Sequence, residues 1–95
     1  MDYLTKVAEF AAGFPATDLP FEAVARTKLI IADSIGAIVG GAAEPEVKAL
    51  AARPGMAGGG PALLIGTGTG AQPAQAALIN GTAGTWLEMD EGNQF

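Results

Sequence analysis

Apolar residues recur at helical spacing along most of the chain, and the pattern predicts a mainly α fold. Leu4, Val7, Ala8, Ala11 and Ala12 fall three and four positions apart, which predicts a first helix over 3–14. Lys6 and Glu9 lie off that stripe. Gly13 suits the helix end, and Pro15 blocks continuation. After a loop over 15–19, Pro20 suits the first turn of a second helix that runs to about Val39. Glu22 falls in that first turn, where the helix dipole favours an acid. Val24, Thr27, Ile31, Ser34, Ile35 and Ile38 make one face, and Leu29 and Ile30 widen the apolar surface beyond a stripe. Such a helix is expected to be central and covered on more than one side. Gly36, Gly40 and Gly41 are expected to allow close backbone approach and then to end it. Asp33 in so apolar a helix calls for a partner, and a bond to a neighbouring helix end is expected.

Pro45 to Arg53 reads as a short third helix, with Glu44 and Glu46 at its start and Lys48 and Arg53 toward its end, as the dipole favours. Pro54-Gly55 terminates it. Residues 54–61 are Gly-rich and predict a loop. Ala62-Leu63-Leu64-Ile65 predicts a short extended segment, and Gly66 to Gly70 a turn. Pro73 opens the last helix. Ala76, Ala77, Asn80, Gly84 and Leu87 lie near one of its faces, and Ala74, Gly81 and Ala83 keep it slim. No internal repeat and no linker divides the chain, so residues 1–95 read as a single helical unit.

Composition sharpens this picture. The 49% of hydrophobic residues supports a buried core, but much of it is Ala, so packing must be close, with few large anchors. Ten acids against five bases give a net charge of −5, which argues against nucleic acid and against anionic membrane surfaces. No basic residue follows Arg53. Cysteine and histidine are both absent, which removes disulfides, thiolate nucleophiles, the commonest general base and the commonest metal ligand. The start of the chain lacks a basic, then apolar, leader pattern. The most apolar run, Leu29 to Val39, is eleven residues long, well short of the roughly 20 that span a bilayer. A soluble, cytoplasmic chain is expected.

Three stretches carry candidate chemistry. Gly66-x-Gly68-x-x-Ala71 follows an apolar run and precedes a helix, the loose form of a dinucleotide fingerprint, and Glu88 lies about 20 residues on. The context fails, because the acid should end a second parallel strand and residues 73–87 read as helix. A chain-redirecting turn is the expected reading. Asn80-Gly81-Thr82 offers an amide and a hydroxyl, either to a ligand or to neighbouring backbone groups. The third stretch is Glu88, Asp90 and Glu91, three carboxylates within four positions. They meet the negative end of the helix dipole and repel one another, and such breaches of a local rule tend to mark function. A carboxylate among like charges has its pKa raised, as suits a general acid or base. A solvated acidic helix end is the alternative.

The segment Ala-Leu-Ile-Asn-Gly-Thr-Ala-Gly-Thr-Trp-Leu-Glu-Met-Asp-Glu-Gly-Asn, Ala77 to Asn93, resembles a characteristic segment of the MmgE/PrpD family. That family includes 2-methylcitrate dehydratase and cis-aconitate decarboxylase. Lys28-Leu29-Ile30-Ile31-Ala32-Asp33-Ser34-Ile35-Gly36 is similar to the family's early K…D-x-x-G helix. The two segments stand in the family's order, and the resemblance covers nearly the whole chain. It reaches only the N-terminal part of family members, which are several times longer.

The resemblance implies the N-terminal portion of a larger all-α domain. It also implies a smaller α/β lid domain that this chain does not carry, an active site between the two, and homodimers. It implies metal-free, cofactor-free lyases that remove water or carbon dioxide from small polycarboxylates. In the family's Asp-Φ-Asp-Asp-Thr motif the first acid falls on Glu88, the next two on Asp90 and Glu91, and the threonine on Gly92. Glu88, Asp90 and Glu91 are thereby the implied catalytic residues, with Asn80 and Gly92 as substrate-binding candidates. The Glu at the first position and the missing hydroxyl depart from the motif and point to a branch distinct from either named enzyme. A non-enzymatic helical module whose acidic end binds a partner is the alternative reading.

Overall fold

Asp2 starts the first helix by a hydrogen bond. Its carboxylate accepts from the Thr5 backbone N–H at 2.7 Å and so caps α1 (Tyr3–Gly13). The protein is described here from a computed structural model, which describes residues 2–89. A single 3₁₀ turn (Ala16–Asp18) follows, and then α2 (Phe21–Ala42), α3 (Pro45–Ala51), strands β1 (Ala62–Leu64) and β2 (Thr69–Ala71), and α4 (Pro73–Trp86). The fold is mainly α, as the periodicity predicts. Pro45 and Pro73 both lie in the first turn of their helices, where a missing N–H costs nothing.

The core lies where the end of α2, α3 and the hairpin meet α4. Its buried members are Ala42, Val47, Leu64, Ala71, Ala76, Ile79 and Ala83. Only Val47, Leu64 and Ile79 are larger than Ala. Each contributes about 2 kcal/mol on burial, so contact between backbones must supply much of the rest. On α4 the buried line is Ala76, Ile79 and Ala83, at spacings of three and four. This corrects the expected face: Ile79 belongs to it, whereas Ala77 and Leu87 are exposed.

α2 and α4 form the principal helix pair. They touch through Gly41, where an added Cβ would collide with the Ala83 carbonyl. A Cβ on Gly84 would lie 3.1 Å from Ile38 Cγ1, and one on Gly40 3.3 Å from Leu87 Cδ1. Gly40 and Gly41 therefore do not end α2, which runs through them to Ala42. They are the contact surface itself, and Gly36 makes no such contact.

The extended segment pairs with a strand that the sequence pattern does not announce. β1 and β2 form an antiparallel hairpin with Ala62 opposite Ala71, Leu63 opposite Gly70 and Leu64 opposite Thr69. Gly66, at φ +88°, helps to close the loop between them. The Thr67 hydroxyl donates to the Leu64 carbonyl at 2.8 Å within the same loop. Because β2 stands between this loop and α4 and runs antiparallel to β1, the Gly-rich turn is a hairpin loop and lacks the strand-to-helix geometry of a dinucleotide site.

α1 packs against no other element, and α2 is buried only at Gly41 and Ala42. The expectation that α2 is covered on several sides is thus met at one end only. Phe10 of α1 is 69% exposed, and Phe21 and Ile31 of α2 are 82% and 53% exposed. The chain exposes 6961 Å², against about 5,000 Å² for a folded monomer of this mass. Its radius of gyration is 16.6 Å, against about 12 Å for a closed domain of this length. Among the described residues, no helix is long and apolar enough to cross a membrane.

Candidate functional site

α4 places the residues singled out in its sequence on two levels. Asn80 lies mid-helix and half-buried, facing the hairpin. Its Oδ1 accepts from the Ile65 N–H at 3.0 Å, and its Nδ2 donates to the Leu63 carbonyl at 2.9 Å. The two groups bracket Leu64, which is 1% exposed. The carboxamide thus bonds the outer edge of β1 as a neighbouring strand would. Gly58 does the same for β2, its N–H donating to the Gly70 carbonyl at 2.6 Å. The Thr82 hydroxyl donates to the Leu78 carbonyl at 2.7 Å, and the Thr85 hydroxyl to the Gly81 carbonyl at 3.2 Å. Among the described residues no buried side-chain nitrogen or oxygen lacks a partner.

The second level is the end of α4. The helix stops at Trp86, with Leu87 as its cap. Glu88 then adopts φ +54°, alone among the non-glycine described residues in having a positive φ. This left-handed position is where glycine commonly ends a helix, and a side chain there costs about 1–2 kcal/mol. The Glu88 N–H donates to the Thr85 carbonyl at 3.1 Å, which fixes the turn. The carboxylate is exposed. Asp90, Glu91 and Gly92 lie outside the described residues.

A cavity of about 240 Å³ opens beside this turn. Asp33, Gly36, Ala37 and Gly40 of α2 line one side, and Leu87 and Met89, the neighbours of Glu88, line the other. Among the described residues, Asp33 does not make the expected bond to a helix end. It is exposed on the wall of this cavity, which the lack of side chains at Gly36 and Gly40 helps to open. Asp33 and Leu87 are 54 positions apart in sequence, and no periodicity signals that they line one cavity. A second cleft of about 240 Å³ lies between the same two helices and is lined by Ser34, Ile38, Asn80, Gly81, Gly84 and Thr85. Among the described residues, no three His, Cys, Asp or Glu side chains are placed to hold a metal ion.

The sequence pattern of the MmgE/PrpD N-terminal domain matches residues 5–92, from the start of α1 to beyond the acidic turn. The chain belongs to the MmgE/PrpD family. The match spans both the α2 segment that carries Asp33 and the α4 segment that carries Asn80 and Glu88, so the features assembled around the α2–α4 contact are those of an MmgE/PrpD N-terminal domain. No curated protein and no solved structure matches the chain.

Proposed function

We propose that this MmgE/PrpD domain is the N-terminal part of a larger helical domain in a metal-free lyase acting on a small polycarboxylate. The observation that carries the reading is the end of α4, where a strained Glu88 stands beside a cavity whose far wall holds Asp33. Strain at a carboxylate, in a position glycine would fill without cost, supports a functional role. Membership of the MmgE/PrpD family supports this choice of reaction class.

In this reading Glu88, Asp90 and Glu91 form the acidic wall of the site. In a dehydration, a base takes the proton from the carbon next to the departing hydroxyl. The hydroxyl leaves with a proton as water, and a carbon–carbon double bond forms. In a decarboxylation, the bond to a carboxylate carbon breaks, carbon dioxide leaves, and a proton is delivered to the carbon left behind. One of the three acids serves as acid while a neighbour serves as base or orients one. Gly92 leaves room for substrate. Asn80 holds the hairpin in place behind the second cleft and so shapes the substrate side. An acidic wall repels a polycarboxylate, so cationic residues from outside this chain face it. In this reading the enzyme is a cytoplasmic homodimer without a cofactor, and the 95 residues alone are expected to show no turnover.

The test is turnover of 2-methylcitrate, citrate and cis-aconitate by the polypeptide that carries this domain, followed by NMR. Glu88→Gln and Asp90→Asn should each lower the rate by about 10²-fold or more with the helical circular dichroism intact. Full activity in both variants removes the reading. The exposure of Glu88 favours a second one, a non-enzymatic helical module whose acidic end binds a partner. That reading predicts unchanged turnover in Glu88→Gln together with lost assembly.

A further inference from the structure

We draw no further inference here: the strongest candidate, the apolar surface that α1 and the outer side of α2 present through Phe10, Phe21, Ile31 and Ile35, carries nothing because nothing in the structure shows what covers it.

Discussion

The side chain of Asn80 holds the backbone of Ile65, its Oδ1 accepting from the Ile65 N–H at 3.0 Å while its Nδ2 reaches the Leu63 carbonyl at 2.9 Å. A two-stranded hairpin is marginal by itself, and here one carboxamide joins it to α4 by two hydrogen bonds. Asn80→Ala removes both bonds at once and leaves the Ile65 N–H without its partner. A loss of about 1–3 kcal/mol is expected, read from the midpoint of urea unfolding. Asn80→Asp keeps the acceptor for Ile65 but faces the Leu63 carbonyl with an oxygen. It should therefore lose stability above the ordinary aspartate pKa of about 3.9 and recover part of it below, where the protonated acid donates again.

The helix contact makes opposite predictions for two glycines of α2. Gly41→Ala drives a methyl into the Ala83 carbonyl. Backbone cannot yield as a side-chain tip does, so a loss of about 3 kcal/mol or more is expected. Gly36→Ala meets nothing within 4 Å and lies inside the helix, so it should gain about 0.5–1 kcal/mol from helix propensity. Thermal unfolding of the two variants side by side checks the contact, since equal shifts would contradict it.

At the end of α4 stability and function should separate. Glu88→Gly relieves the left-handed strain and should stabilise the domain by about 1 kcal/mol, measured by chemical unfolding. In the lyase reading the same substitution abolishes turnover. A variant that is more stable and less active would mark Glu88 as a residue kept against the preference of its own backbone.

The Asp2 cap gives a pH dependence. The Thr5 N–H, and then further hydrogen bonding to the carboxylate, hold the Asp2 pKa below its ordinary value. A depressed folded pKa means that the cap contributes fully above the ordinary value of about 3.9, and that this contribution fades as the pH falls through the lower folded value. The Thr5 amide resonance should follow that titration. Asp2→Asn, which still accepts a hydrogen bond, should abolish the pH dependence while keeping most of the cap.

Much of this fold was legible because helix-forming signals are local. The starts of α1, α3 and α4 lie where apolar spacing and proline placed them. The hairpin was half legible. Ala62-Leu63-Leu64 reads as extended, but Thr69-Gly70-Ala71 is short, contains Gly and lacks the branched or aromatic residues that mark a strand. Its pairing comes from the closed loop and from Asn80, both tertiary features. Gly40 and Gly41 read as a close-approach surface and also as a stop, because glycine serves both helix contacts and helix ends, and only the position of Ala83 decides between them. The acidic end was visible as composition. The cavity that Leu87 and Met89 share with Asp33 was not, because it depends on how α4 crosses α2.

The clamp at Asn80 also sets a phase. Between it and the end of α4 at Trp86 there are fewer than two helical turns, and the contacts of Gly41 with Ala83, Gly84 with Ile38 and Gly40 with Leu87 hold the rotation of that end. Removing or adding one residue after Asn80 would rotate everything beyond it by about 100°. Leu87 and Met89 would then leave the cavity that Asp33 lines although every residue type were kept. The number of residues between amide and acid is therefore as much a part of the site as the acids themselves, and a lineage could swap Asp for Glu at its end far more readily than it could change that count.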